Sequence, residues 1–457
     1  MAKSTILNTV ERKSILLLGD LIIIGFSLKN FVYRAIDYVD KETLTNKMGI
    51  FFIGLFTYFM IAYVLDLYNL EKVPKSLTFS VFRVFSIAFL FTLFLFITTT
   101  IIFDFAYWRI HLFVFMAFCP IQLVLWRMLF NYIFKFVPTT KKVLYLYDQT
   151  TLDSLETNVA LINGIDKETY HSVIATQLND ELTSLDNFDD HLKLKNIDTW
   201  IINTRNYNHF SGQMERKMVN SILTGKEIIT YTSFYESVYE ALPIQSHNDS
   251  IYEILQLKNK KLRYLQSIAS FNFNLILTLF VGLFFFMVVP FVYILNLFLN
   301  KGPLFYTQLR VGKHGKEYKV FKFRSMVVDA EASGAKMATK NDARITKFGK
   351  ILRKFRIDEL PQILSVIRGD MLFIGPRPER KVFVDKLNEV TPFYNVRHLV
   401  KPGITGWAQV KYKYGENLED SIRKLEYDLY YIKNKSVVLD LRIIFKTATT
   451  ILFSRGV

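Results

Sequence analysis

The chain has 457 residues, 51% of them apolar, with 42 Phe, 25 Tyr and a net charge of +16 from 57 Lys and Arg against 41 Asp and Glu. So many aromatic residues exceed what one soluble core needs and point toward lipid, while the positive excess suits anionic headgroups, phosphorylated substrates or nucleic acid. A single cysteine, Cys119, excludes an intramolecular disulfide and a cysteine-rich metal site.

Lys3, Arg12 and Lys13 precede the first apolar run and no small-residue cleavage site follows, so the N-terminus reads as a retained anchor. Four apolar segments, Ile15–Val32, Met48–Val64, Phe85–Phe103 and Leu112–Phe134, each approach the ~20 residues that span a bilayer as a helix. Basic residues before the first (Arg12, Lys13), after the second (Lys72, Lys75) and after the fourth (Lys135, Lys141, Lys142) predict that both ends of the bundle face the cytoplasm. Asp20, Lys29, Arg83 and Arg127 lie in or near these segments; Lys29 and Arg83 are placed to snorkel, and Asp20 to pair inside the bundle.

From Lys141 to about Gln256 the composition becomes soluble and mixed in charge. Strand-like runs Val143–Tyr147, Ser172–Thr176, Thr199–Asn203 and Glu227–Tyr231 alternate with helix-like Leu152–Ile162 and Ser211–Leu223, which predicts a small parallel α/β domain. The turn after its first strand, Tyr147-Asp148-Gln149-Thr150-Thr151, lacks the glycines that let a backbone approach pyrophosphate, so dinucleotide binding is not expected. A fifth apolar stretch, Phe271–Leu299, contains Pro290, which kinks or ends a helix; entry, a bend at Pro290 and return to the same face would keep its flanking domains together. The tail, Val437–Phe453, mixes apolar residues with Asp440, Arg442 and Lys446 and reads as a helix in the membrane interface.

Four blocks near the C-terminus carry chemistry. Lys322 and Arg324 in Lys322-Phe323-Arg324-Ser325-Met326 would point to one side of a strand and could grip phosphate oxygens, while Asp329 and Glu331 suit the first turn of a helix. Asp358-Glu359-Leu360-Pro361-Gln362, after Arg353 and Arg356, reads either as a helix start or as a nucleophilic carboxylate whose neighbour shares Mg²⁺ with substrate phosphates. In Gly375-Pro376-Arg377-Pro378-Glu379 the two prolines fix the backbone, which lowers the entropic cost of binding a phosphate through Arg377. Arg397 precedes Lys401-Pro402-Gly403-Ile404-Thr405-Gly406-Trp407, whose glycines suggest a tight turn bringing backbone N–H groups close to a ligand. Phosphoryl transfer needs such cations, a metal and a positioned nucleophile.

From about Tyr264 onward the chain resembles the bacterial sugar transferase family, the monotopic polyprenyl-phosphate glycosyl-1-phosphate transferases. The blocks already quoted carry the resemblance, together with Gly302-Pro303-Leu304-Phe305-Tyr306-Thr307-Gln308-Leu309-Arg310-Val311-Gly312 and Asn341-Asp342-Ala343-Arg344-Ile345-Thr346-Lys347-Phe348-Gly349. The N-terminal segments and α/β region resemble the large members that initiate exopolysaccharide, capsule or O-antigen units. The implied architecture is a membrane α-helical bundle (1–140), a Rossmann-like α/β soluble domain (141–256) and a mixed α/β monotopic transferase domain (257–457) with a re-entrant helix hairpin at about 271–299. The implied reaction moves a sugar-1-phosphate from a UDP-sugar to undecaprenyl phosphate with Mg²⁺, releasing UMP through a covalent carboxylate intermediate. By resemblance Asp358 is the nucleophile and Glu359 its partner for metal or proton, and both are metal candidates; Arg353, Arg377 and Lys322 handle phosphate. Arg324, Arg397, Asp329, Gln308 and Arg310 are supporting candidates, and Pro290 marks the hairpin break. Two departures from the family's pattern are Ser270-Phe271-Asn272-Phe273-Asn274 before the hairpin and Val289-Pro290 where Ser-Pro is common.

The resemblance implies a bacterial inner-membrane location with the catalytic domain on the cytoplasmic face, membrane lipids as partners, and a homo-oligomer as a further candidate partner. A non-catalytic scaffold is the competing reading, and retention of the arginines and both carboxylates argues against it. A transporter would concentrate its unusual residues in the N-terminal segments, which this chain does not do. Basic residues beside membrane segments account for the charge without nucleic acid, so no nucleic-acid partner is expected.

Overall fold

A computed structural model describes residues 9–36, 44–64, 67–68, 77–102, 108–135, 141–148, 156, 158–159, 170–177, 197–204, 212–244, 260–300, 302–328, 330, 342–412 and 418–452. The chain divides into two compact units, Met1–Tyr231 and Thr232–Val457. It is mostly helical, with parallel sheets in both units.

In the first unit each apolar segment lies in a helix: α1 (Thr9–Ile36), α2 (Leu44–Val64), α3 (Leu77–Ile102) and α4 (Trp108–Lys135). Leu16, Ile24, Leu28, Tyr58, Phe91 and Leu123 are buried between them. Phe26, Phe56, Phe89 and Phe113 point outward. Large apolar side chains on the outside as well as the inside are what lipid, rather than water, permits. Glu11–Val32 and Ile110–Phe134 are long and apolar enough to cross a membrane, and Phe51–Tyr63 and Val84–Ile97 are shorter apolar runs. Asp20 is buried and accepts from Arg127 at 2.5 Å and from the Tyr68 hydroxyl at 2.8 Å. The intramembrane acid therefore meets its charge inside the bundle, whereas Lys29 is exposed at the segment end. The side chain of Arg83 lies outside the described residues.

Four parallel strands follow, β1 (Lys141–Tyr147), β2 (Tyr170–Gln177), β3 (Thr199–Asn203) and β4 (Glu227–Thr230), in the order β2-β1-β3-β4. Strand β3 is buried at every position, as expected where both faces of a parallel sheet are covered. Helix α5 (Gly212–Leu223) connects β3 to β4. The acid of the turn after β1, Asp148, is buried and accepts from the Thr204 hydroxyl at 2.6 Å. Most of the predicted helix Leu152–Ile162 lies outside the described residues.

The second unit takes up the chain in helix α6 (Tyr231–Tyr239). The Tyr235 hydroxyl donates to Glu426 at 2.9 Å, and the Trp407 indole donates to the Glu240 carbonyl at 2.9 Å, so residues 232–244 pack with the C-terminal region. Helix α7 (Lys260–Leu299) continues through Pro290. Its span Ser270–Leu299 is the third segment apolar enough to cross a membrane. Near one end Ser270 donates to Asp440 at 3.1 Å and Asn274 accepts from the Phe373 amide at 2.8 Å. Near the other, Asn296 donates to the Gly302 carbonyl at 3.0 Å and Asn300 to that of Arg324 at 2.7 Å. Phe285 and Val292 enter the core while Phe271, Phe280, Phe291 and Phe298 are exposed.

The rest of this unit is built from the antiparallel hairpin β5 (Phe305–Val311) and β6 (Glu317–Phe323) and the parallel pair β7 (Leu372–Ile374) and β8 (Gly403–Thr405). The helices are α8 (Lys347–Lys354), α9 (Ile363–Ile367), α10 (Lys381–Val390), α11 (Trp407–Lys411), α12 (Leu418–Asn434) and α13 (Val437–Leu452). The tail helix α13 packs one face against the rest of the unit. Leu439, Asp440 and Ile443 are buried, and Arg442 pairs with Glu240 at 2.8 Å.

Candidate active site

Asp358 and Glu359 lie in the first turn of a 3-10 helix, Ile357–Gln362, and both are buried. Helix α8 leads to them, capped by Thr346, whose hydroxyl accepts from the Gly349 amide at 2.9 Å. Between the two helices Arg356 adopts a left-handed φ of 55°. That backbone costs a non-glycine residue ~1–2 kcal/mol and persists only where its surroundings impose it. Here it turns the chain sharply and leaves the Arg356 guanidinium 3.9 Å from Glu359.

The cations gather on one carboxylate. Arg377 forks onto Glu359 with contacts of 2.6 and 3.4 Å, and Lys322, from β6, approaches it to 3.3 Å. Burial opposes ionisation of Glu359, but Arg377, Lys322 and Arg356 outweigh it and hold the carboxyl well below its usual range. Its neighbour behaves in the opposite way. Burial and then the adjacent Glu359 charge raise the Asp358 carboxyl, against the pull of Lys322, Arg353 and Arg356. One oxygen of Asp358, Oδ1, is buried without a hydrogen-bond partner. The adjacent acids are thus chemically unlike: one is a fixed anion in a cationic nest, the other a buried carboxyl with an uncommitted oxygen.

The remaining sequence candidates lie in varied surroundings. Arg353 donates to the Ser325 hydroxyl at 2.9 Å. Arg324 falls just past the end of β6, where its amide continues the ladder to the Leu304 carbonyl at 2.9 Å and its guanidinium donates to the Pro303 carbonyl at 3.0 Å. Arg397 is buried and donates to the Arg377 carbonyl at 2.7 Å and to Asp428 at 2.8 Å. Arg310 donates to the Pro378 carbonyl at 3.0 Å, to Glu379 at 3.1 Å and to Gln308 at 2.9 Å. Asp329 lies outside the described residues. Pro290 is on α7.

Sequence reasoning left Arg356 out of the site, although its spacing of three from Glu359 was a usable signal. It also passed over Asp428, which only the folded chain brings to Arg397. The glycines of the Pro402–Trp407 block have a different use from the expected one. A Cβ on Gly403 would lie 2.1 Å from the Gly375 nitrogen, and one on Gly406 2.2 Å from the Gly375 carbonyl oxygen. They allow close backbone packing, and the Gly403 amide is spent on the Pro376 carbonyl at 3.0 Å.

A family model described as bacterial sugar transferase matches residues 265–454. A sugar transferase of Bacillus subtilis, named EpsL and uncharacterized, is 41% identical over 156 residues that make up 73% of its length and 34% of this chain. The chain belongs to the bacterial sugar transferase family. A UDP-N-acetylgalactosamine-undecaprenyl-phosphate N-acetylgalactosaminephosphotransferase of Aeromonas hydrophila is 50% identical over 157 residues, 34% of this chain and 37% of that protein. A UDP-glucose:undecaprenyl-phosphate glucose-1-phosphate transferase of Xanthomonas campestris is 47% identical over 156 residues, 34% of this chain and 32% of that protein. The matched stretch is therefore about a third of the length of these two relatives.

Proposed function

We propose that this sugar transferase family member moves a sugar-1-phosphate from a UDP-sugar to undecaprenyl phosphate, the first step in building a surface polysaccharide. The observation that carries the reading is the cationic nest of Arg377, Lys322 and Arg356 around Glu359, beside a buried Asp358 oxygen with no hydrogen-bond partner. The names of the Aeromonas and Xanthomonas relatives support the donor and acceptor classes.

In this mechanism an Asp358 carboxylate oxygen attacks the β-phosphorus of the donor. The bond from that phosphorus to the bridging oxygen breaks, and UMP leaves with the electron pair. The sugar-phosphate is then held on Asp358 as an acyl phosphate, and a phosphate oxygen of undecaprenyl phosphate attacks the same phosphorus. The bond to Asp358 breaks, restoring the carboxylate and giving undecaprenyl-diphosphate-sugar. Splitting one transfer into two is ordinary nucleophilic catalysis. Arg377, Lys322 and Arg356 would neutralise charge on the non-reacting oxygens.

Magnesium would be held chiefly by Asp358. It commonly takes one or two carboxylates and completes its shell with water and substrate phosphates. The uncommitted Asp358 Oδ1 suits such a role, Glu359 would serve as the second donor only by exchanging contacts with Arg377 or Lys322, and no group of three or more metal-binding side chains is found among the described residues. When bound, the ion would draw charge off the phosphate oxygens.

We extend the reading to the membrane. Helix α7 is hydrogen-bonded near both ends to the same folded unit, through Asn274 and Asn300, which supports entry and return on one face with the bend at Pro290. The parallel sheet of residues 141–230 is taken as a Rossmann-like domain, and the catalytic unit is placed on the cytoplasmic face of the inner membrane. The test is UMP release from a panel of UDP-sugars by full-length protein in nanodiscs with undecaprenyl phosphate and Mg²⁺. Asp358→Asn is expected to abolish lipid-dependent UMP release and the trapping of labelled sugar-phosphate on the protein; turnover surviving that substitution would sink the mechanism.

A further inference from the structure

The loop that carries Arg377 is held in an unusual way. Four consecutive carbonyls, from Pro376 to Glu379, each accept a hydrogen bond from another element. The Gly403 amide takes Pro376 at 3.0 Å and the Val311 amide takes Glu379 at 2.8 Å. The two between them are taken by side chains: Arg397 donates to the Arg377 carbonyl at 2.7 Å and Arg310 to that of Pro378 at 3.0 Å. Pro376 and Pro378 have no N–H, so the loop cannot be tied by its own donors at those positions.

Each clamping guanidinium has a carboxylate of its own. Arg310 pairs with Glu379 at 3.1 Å, and Arg397 with Asp428 of α12 at 2.8 Å. The second pair is the more buried, with side chains 6% and 2% exposed. Burial works against the charged Arg397, and Tyr394, Asp428 and Glu379 more than offset it. Burial pushes the Asp428 carboxyl up to about 6 against the pull of Arg397. Arg397 also lies over the Tyr394 ring, 4.8 Å from its centre, and donates to its hydroxyl. A guanidinium so enclosed is badly placed to meet a substrate phosphate.

We infer that Arg397, with Asp428 as its counter-ion, is a positioning residue that fixes the Arg377 backbone so that the Arg377 guanidinium forks onto Glu359. The inference rests on the proposed phosphotransfer, in which Arg377 touches the reacting phosphates. Arg397 and Asp428 contribute only through Arg377. Their loss should therefore matter where Arg377 is intact and matter little where its fork is already gone.

The experiment is a double-mutant cycle on full-length protein in nanodiscs, reading UMP release from a UDP-sugar. Arg377→Lys keeps a measurable charge but loses the fork, and serves as the second background. Asp428→Asn and Arg397→Lys are each expected to lower kcat about 10- to 100-fold in the wild-type background, the scale of an ångström-sized misplacement. In the Arg377→Lys background the same changes should cost less than about 3-fold, because neighbours in one network are not additive. Equal factors in both backgrounds, or undiminished kcat in the first, would overturn the positioning role. Hydrogen exchange supplies a readout independent of turnover. In Asp428→Asn the peptide covering 375–381 should exchange at least about 10-fold faster while that covering 342–355 is unchanged. No change at 375–381 would equally overturn the inference. Failure of the proposed reaction is distinguishable, since wild type would then release no UMP, or Asp358→Asn would release it as fast as wild type, while the hydrogen-exchange comparison still decides the positioning role.

Discussion

Glu240 allows two opposing effects to be weighed in one substitution. It follows the last residue of α6 with a left-handed φ of 54°, a position where glycine is the usual choice. Glu240→Gly should relieve about 1 kcal/mol of backbone strain. The same change removes a buried carboxylate bound to Lys411 at 2.6 Å and to Arg442 at 2.8 Å. Removing one partner of a buried ion pair costs roughly 3–5 kcal/mol. The low end applies, because Lys411 and Arg442 are 20% and 13% exposed and both lie over the Trp407 ring, at 4.9 and 5.1 Å from its centre.

The pair wins, and the net expectation is a loss of about 2 kcal/mol, or roughly 4–8 °C in Tm for a unit of this size. The assay is thermal unfolding of full-length protein in one detergent at one scan rate, since membrane proteins often unfold irreversibly. Glu240→Asn, which tolerates the left-handed backbone but lacks the charge, should fall by a similar amount. A glycine variant as stable as wild type, or more so, would refute the claim that these ion pairs hold residues 232–244 to the C-terminal helices.

His398 should make stability depend on pH. Burial and the adjacent Arg397 lower its imidazole from 6.5 to about 4. Between those values the unfolded chain binds more protons, so its contribution is complete above about pH 6.5 and is lost as pH falls toward 4, some 3 kcal/mol in all by linkage. His398→Asn should flatten the difference in Tm between pH 4 and 7; an unchanged slope would show that the imidazole is not held neutral. In the membrane bundle, Arg127→Leu leaves the buried Asp20 acid without its cation and should destabilise by about 3–5 kcal/mol. Asp20→Leu/Arg127→Leu should recover most of that loss in thermal unfolding, and a double variant no better than the single would contradict the pairing.

Local periodicity made much of the fold legible. Strand β3 spans Thr199–Asn203 as read from the chain, and the predicted Ser211–Leu223 differs from α5 by one residue. Continuous apolar runs and amphipathic spacing are properties of neighbours, and neighbours suffice to define them. Pro290 is harder. The sequence says a hydrogen bond is lost there, but whether the helix stops depends on what packs around it, and α7 runs on to Leu299. Tail helix α13 shows the same limit, since nothing in its own sequence says that Asp440 meets Ser270 and Arg442 meets Glu240.

The site was legible as a list of charges and illegible as a circuit. Asp358 and Glu359 are adjacent and of one chemical type, so nothing in their order says which is paired. The difference arises because Arg377 and Lys322, from separate loops and strands, reach Glu359 oxygens, while Asp358 Oδ1 faces no donor. The same holds for the arginines. Arg377, Arg397 and Arg310 are equivalent as residues, yet only Arg377 contacts the dyad, and the other two hold the carbonyls that orient it. On the proposed reading the site holds more positive charge than a phosphate would touch, because a guanidinium that must be rigid has to be fixed by others that are themselves neutralised. Asp428 and Glu379 are the counter-charges that arrangement requires; Glu379 stands in the Arg377 block itself, whereas Asp428 lies 31 residues from Arg397, and no local pattern could announce that pair.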